Sequence, residues 1–174
     1  MTAAEFVSQV LLFLLSAAVH EAGHILTAKI FGIPMRFFRF CQNGAVMSFD
    51  FSHTTYLREA AVHLGGSLFA MTGAVLSVFL IGERAHFFLG ISVVLSAVNL
   101  MPIRGTDGGA CLKALLLTAF LPDTAEKISG IVSWCMWSVL WGAVLWIEMR
   151  MRANLTLLLF IIGFLLHEND KDYR

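Results

Sequence analysis

The sequence predicts an all-α polytopic membrane protein with five or six transmembrane helices and a small β-hairpin between the first two. Three observations carry that prediction. Of 174 residues, 58% are hydrophobic and only 14% charged, with a mean hydropathy of +0.78, a composition foreign to soluble domains. Several long tracts are free of Asp, Glu, Lys and Arg, each of which costs roughly 2.5–3.5 kcal/mol at mid-bilayer. One Asn-Gly pair joins two short segments rich in β-forming residues, the signature of a tight hairpin turn.

The first apolar stretch runs from Phe6 to about Phe31 and holds Glu21 and Lys29 as its only formal charges. No Lys or Arg precedes it and no small-residue cleavage site follows it, so it is expected to remain as the first span rather than leave as a signal peptide. Met35–Cys41 and Ala45–Phe51 then read as strands joined by Gln42-Asn43-Gly44, with Val46, Ser48 and Asp50 alternating against Met47, Phe49 and Phe51. Ala60–Gly82 and Ala85–Ile103 are long enough at 1.5 Å per residue to cross a bilayer core of about 30 Å. Ala114–Pro122 follows the polar patch Arg104–Lys113, and it either completes the third span as a broken helix or forms a span of its own. Ile128–Ile147 is a further span, and Ala153–Leu166 a short last one before the charged tail Glu168–Arg174. Lys29, Arg36, Arg39 and Arg58 cluster around the hairpin while the opposite side is reached chiefly by Arg84, so the positive-inside bias puts the hairpin in the cytoplasm.

Charge excludes whole classes of function. Twelve basic residues balance twelve acidic ones, leaving no basic field for nucleic acid and no acidic tail. Cys41, Cys111 and Cys135 are too few and too widely spaced for a disulfide framework or a zinc ribbon, and read as free thiols. No internal repeat or long linker divides the chain, so residues 1–174 read as a single module.

His20-Glu21-Ala22-Gly23-His24 is an H-E-x-x-H sequence on a predicted helix. The i, i+4 spacing sets two imidazoles one turn apart on one face, as two zinc ligands require, and Glu21 beside them suits a general base. Ionisable groups at membrane depth are expensive unless paired or metal-bound, which strengthens the signal; the bland reading is a polar interhelical network. A catalytic zinc needs a third protein ligand and an open position, and Asp107 is the candidate. It lies in Asn99-Leu100-Met101-Pro102-Ile103-Arg104-Gly105-Thr106-Asp107-Gly108-Gly109, where Pro102 ends helical bonding and the glycines permit sharp turns. The bland reading there is a loop whose Asp caps a helix. Gly66, Ala70, Gly73 and Ser77 form a small-residue face on the second helix, suited to close packing behind the H-E-x-x-H helix. His63, one turn before Gly66, is a packing histidine in this reading.

Taken together, the two motifs resemble the site-2 protease family of intramembrane zinc metalloproteases, in which an H-E-x-x-H helix is paired with a downstream N-x-x-P-x-x-x-x-D-G segment. Asn99, Pro102, Asp107 and Gly108 match that segment, and Gly65-Gly66-Ser67-Leu68-Phe69-Ala70 stands where the family has A-G-P-x-x-N, departing from it at Ser67 and Ala70. The resemblance covers roughly residues 6–117; the helices at 128–147 and 153–166 are accessory. It implies a minimal, sporulation-factor-like bacterial member without PDZ or CBS domain, with one Zn2+ held by His20, His24 and Asp107, and Glu21 as the catalytic base. Asn99, Pro102, Gly108 and Gly66 are the expected supporting residues. The expected activity is cleavage of a membrane-spanning or membrane-tethered protein in regulated proteolysis, inside the bacterial cytoplasmic membrane, with a regulatory membrane partner as a further option. An extended substrate segment is expected to add to a hairpin edge. The alternatives are a non-proteolytic metal-binding carrier or sensor, which has no need of Glu21, and a scaffold with a closed structural site, which needs a fourth ligand.

Overall fold

A computed structural model of the chain describes residues 2–41 and 44–151. The expected Gln42-Asn43 turn and the last expected span, Ala153–Leu166, with its charged tail, lie outside the described residues. In chain order the elements are α1 (Ala3–Ile30), β1 (Met35–Cys41), β2 (Gly44–Phe49), α2 (Tyr56–Ile81), a short 3-10 turn (Gly82–Ala85), α3 (His86–Asn99), α4 (Asp107–Leu117) and α5 (Pro122–Met151). The architecture is mostly helical, with one antiparallel hairpin between the first two helices, as the sequence predicts. Three helices among the described residues, Ala3–Ile30, Tyr56–Ile81 and Pro122–Ile147, are long and apolar enough to cross a membrane.

Local chemistry explains where these elements begin and end. Thr2 and Glu5 close a reciprocal capping box on α1, with Thr2 N–H donating to Glu5 Oε2 at 2.8 Å and Glu5 N–H to Thr2 Oγ1 at 3.2 Å. At the other end Ile33 N–H bonds Ala28 O at 2.8 Å and Gly32 N–H bonds Lys29 O at 3.1 Å, the paired bonds of a Schellman stop. Gly32 takes φ +67 there, a left-handed conformation that glycine adopts without a Cβ penalty. Ile33 then packs against Ala28 and Val62, with Phe31, Phe49 and Phe51 around them. This small cluster seats the hairpin on the ends of α1 and α2. A bulge between Met35 and Phe37 interrupts the register, and Arg36 pairs with Asp50 at 3.0 Å just past β2.

One expected span is corrected. Ala85–Ile103 contains α3, but α3 has 14 residues, about 21 Å of helix and too short to cross a bilayer core by itself. It stops at Asn99 because Pro102 lacks an N–H and disfavours helical geometry at Met101. The chain turns through Leu100–Thr106, with Gly105 at φ +92, before α4 starts. Hence 104–122 does not continue α3; it contains a separate helix of 11 residues, followed by the start of α5 with Pro122 in its first position.

α2 is the hub, packing against α1, α3 and α4, while α5 packs against α4. The α1–α2 crossing runs over glycine: a Cβ on Gly23 would lie 2.5 Å from Gly65 O and 2.9 Å from Gly66 Cα. Without a hydrophobic drive between helices in lipid, such close approach supplies the contact energy. The small-residue face is rotated from the expected one, for Gly66, Ala70 and Ala74 are buried in steps of four. Among the described residues a Cβ on Gly73 would meet Val19, at 3.6 Å, and Ser77 bonds its own helix at Ala74 O, 2.7 Å away. The α1–α3 contact is polar at its centre, where fully buried Ser16 and Ser92 share a 2.8 Å hydrogen bond.

Candidate metal centre

Two helices and one helix start converge on a single point. His20 and His24 stand one turn apart on the buried face of α1, 3% and 5% exposed. Asp107 is the first residue of α4. Its place is set by Thr106, the N-cap, whose hydroxyl lies 2.6 Å from Met101 O and 2.8 Å from Ile103 O and accepts Gly109 N–H at 3.3 Å. The glycines after Asp107 are pressed onto the preceding turn. A Cβ on Gly108 would strike the Leu100 carbonyl and lie 2.5 Å from Met101 O, and one on Gly109 would strike the Ile103 carbonyl.

His20 Nε2 lies 2.9 Å from Asp107 Oδ2, His24 Nε2 lies 3.2 Å from the same oxygen, and the two Nε2 atoms are 3.2 Å apart. Ligand atoms at about 2.05 Å from a tetrahedral zinc are separated by about 3.3 Å, so the two 3.2 Å edges fit one face of such a polyhedron and the 2.9 Å edge falls about 0.4 Å short of it. The donor set, two imidazoles and a carboxylate, is one that zinc accepts and that leaves a position open. Among the described residues, His20, His24 and Asp107 form the cluster able to hold a metal ion.

The orientation of His24 has two causes. Its Nδ1 lies 2.8 Å from Val62 O, so Nδ1 carries the proton and Nε2 keeps its lone pair toward the cluster. Its ring rests flat against Gly66, where a Cβ would strike Nε2 and lie 2.7 Å from Cε1 and 2.8 Å from Cδ2. His20 stands edge-on to His24 with ring centroids 4.9 Å apart, and its buried Nδ1 has no hydrogen-bond partner among the described residues. Glu21 is half-buried beside the triangle, close enough for its charge to couple to His24, His20 and Asp107, and among the described residues no side-chain hydrogen bond ties it down.

Of the expected supporting residues, Gly66 and Gly108 lie where side chains would collide with the site's framework. Pro102 sits half-buried in the turn before α4. Asn99 is directed elsewhere, its Nδ2 donating to Leu95 O of its own helix at 3.1 Å. His63 stays outside the triangle, its ring 5.7 Å from that of Phe51. Sequence reasoning missed Thr106, Gly109 and the Val62 carbonyl. The Thr-Asp-Gly-Gly run carries an N-cap signal that would have found the first. Nothing in a sequence marks one backbone carbonyl among many.

No protein-family model and no curated protein matches the chain. Among solved structures, it is similar to the site-2 protease from Methanocaldococcus jannaschii, with a TM-score of 0.59 and 18% sequence identity over 88% of this chain and 71% of that one. At that identity the likeness lies in the fold, and it is the fold family that the paired motifs point to.

Proposed function

We propose that the protein is a zinc-dependent intramembrane endopeptidase that cleaves a membrane-spanning or membrane-tethered protein. The observation that carries this reading is the triangle of His20 Nε2, His24 Nε2 and Asp107 Oδ2 with Glu21 beside it, set in a fold similar to a solved site-2 protease. His20, His24 and Asp107 would hold the metal. Zinc, when bound, supplies a Lewis acid that polarises a carbonyl and lowers the pKa of water toward neutrality.

The chain's own groups do the rest. Val62 O holds the His24 ring in the tautomer that presents Nε2, and Thr106 fixes the helix start that carries Asp107. Glu21 takes the proton from the attacking water and returns it to the leaving amine, serving as base and then acid. A site at the hairpin end of α1, with Lys29, Arg36, Arg39 and Arg58 nearby, suits access from the cytoplasmic face of a bacterial membrane. The two-stranded hairpin leaves an open edge on which an unwound substrate segment can add as a strand; Val46→Pro leaving cleavage intact would remove that part of the reading.

Zinc content per chain in detergent, measured by elemental analysis, tests the centre. About one zinc is expected in the wild type, and markedly less in His24→Ala and Asp107→Ala; a folded wild type without zinc refutes the assignment. Glu21→Gln then separates enzyme from carrier or sensor, since it should retain zinc and lose cleavage of tagged single-span membrane proteins co-expressed with it. Undiminished cleavage by Glu21→Gln would overturn the role given to that carboxylate.

A further inference from the structure

Asp107 begins a helix of 11 residues that follows a glycine-containing turn, whereas His20 and His24 ride on a helix of 28. A metal ligand must be held to about 0.2 Å. Thr106 closes that turn on itself and α4 packs on α2 through Cys111 and Ala114 against Ala60, and the contacts of Arg104 tie the turn to a further helix.

Three residues before Asp107, Arg104 N–H donates to Ser133 Oγ at 3.0 Å, and Ser133 is only 3% exposed. The guanidinium lies along α5 over Gly130, where a Cβ would come within 2.9 Å of Nη2. It ends on Glu126, with Nη2 2.8 Å from Oε1. Glu126, Gly130 and Ser133 are spaced by four and three, one face of α5, and all three meet the same arginine. The other oxygen of Glu126 takes Lys113 Nζ at 2.5 Å, from the turn of α4 that follows the site. A single α5 carboxylate therefore holds the chain on both sides of Asp107. The ion pairs are 43–49% exposed and contribute little to folding, so their geometry matters more than their strength.

We propose that α5 is the positioning element of the metal centre: Ser133 and Glu126, acting through Arg104 and Lys113, hold the turn that presents Asp107 to the two histidines. This gives a role to a helix that the sequence motifs leave without one. It rests on reading the cluster as a zinc site.

The test compares wild type, Ser133→Ala, Glu126→Gln and the control Ser138→Ala, whose hydroxyl among the described residues bonds within α5, to Trp134 O at 2.9 Å. Zinc affinity is read by competition with a chromophoric chelator in detergent, and hydrogen exchange of the peptide covering 100–108 is followed in the zinc-stripped protein. Ser133→Ala and Glu126→Gln should each weaken zinc by about tenfold and speed exchange in that peptide. Peptides of α1 should exchange as before, which separates a displaced turn from a loosened fold, and Ser138→Ala should match wild type in both measurements. A wild type that binds zinc while Ser133→Ala and Glu126→Gln bind it equally tightly overturns the positioning role and leaves the zinc site standing. Unchanged exchange in 100–108 overturns it as well. A wild type that binds no zinc removes the site itself, and the positioning role with it.

Discussion

Replacing Gly66 by alanine should separate zinc affinity from stability. The new Cβ would stand 2.7 Å from His24 Cε1 and 2.8 Å from Cδ2, where carbon atoms ordinarily keep about 3.5–4.0 Å. The ring must therefore retreat by roughly 0.7–1.3 Å. Its Nδ1 lies 2.8 Å from Val62 O, and a retreat from a glycine on the flat face of the ring moves Nδ1 sideways from that acceptor, bending the bond and weakening it. Both changes strike a ligand whose tolerance is about 0.2 Å, so zinc affinity should fall by roughly 10–100-fold, the range seen when an outer-shell partner is lost. The fold responds less, because overpacking at roughly 1–3 kcal/mol is offset by about 1 kcal/mol from replacing glycine inside a helix. Gly73→Ala is the matched control on the same helix, since among the described residues its Cβ meets Val19 Cγ1 at an ordinary 3.6 Å. Chelator competition in detergent gives the affinities, and thermal unfolding of zinc-stripped protein gives the stabilities. Gly66→Ala binding zinc as tightly as wild type, or Gly73→Ala losing as much as Gly66→Ala, would refute the argument that the ring needs that glycine.

Two further outcomes follow from the same geometry. Gly109→Ala drives a Cβ into the Ile103 carbonyl, and backbone cannot swing aside as a side chain can. It should destabilise by roughly 1–3 kcal/mol or more, lowering the melting temperature by about 2–4 °C per kcal/mol, while Gly142→Ala, with nothing within 4 Å among the described residues, should melt at or above wild type; equal melting of the two would contradict the close approach. At the hairpin exit, the Ser52 hydroxyl first, then the Ser52 N–H and Arg36, hold the Asp50 carboxyl at about 2, below its ordinary 3.8. A depressed carboxylate stabilises the fold fully above its unfolded pKa and loses that contribution as pH falls through the folded one, here between about 4 and 2. Carbon-13 NMR of Asp50 in micelles should show a midpoint near 2 that rises in Ser52→Ala, and a midpoint indifferent to that substitution would show that Ser52 does not hold the carboxyl.

How much of this was legible beforehand depends on the range of the interaction involved. The spacing of His20 and His24 is a property of one helix, and any reader of i, i+4 geometry finds it. The reach to Asp107 spans 87 positions, and only the pairing of two motifs made it visible. Helix lengths were legible from charge-free tracts at α1 and α2, whereas α4 and α5 begin at Asp107 and Pro122, ahead of the expected Ala114 and Ile128, and at α3 hydropathy continues through Leu100 and Met101 while the backbone has already stopped at Asn99. Pro102 was the stronger signal there, because it has no N–H for the carbonyl four residues back and its ring bars Met101 from helical geometry, and hydropathy registers neither. The small-residue face was foreseen on the right helix, but its rotation toward Ala74 depends on how α1 crosses α2, which no single helix encodes.

The glycines join these levels. In lipid the helices gain no hydrophobic contact energy from each other, so α1 and α2 must come close to associate at all, and Gly23 and Gly65 allow it. Gly66, next in line, gives the same closeness to an imidazole instead of a backbone. The seam that assembles the helices is thus continuous with the seat that orients His24, and Val62 O, one turn before Gly66 on α2, completes that seat. A ligand orientation that needs two surfaces of one neighbouring helix is set once that helix docks. Asp107 comes instead from α4, which packs on α2 through Cys111 and Ala114 against Ala60 and whose preceding turn and second turn meet the polar face of α5 at Ser133 and Glu126, so what holds it is shared between those two helices.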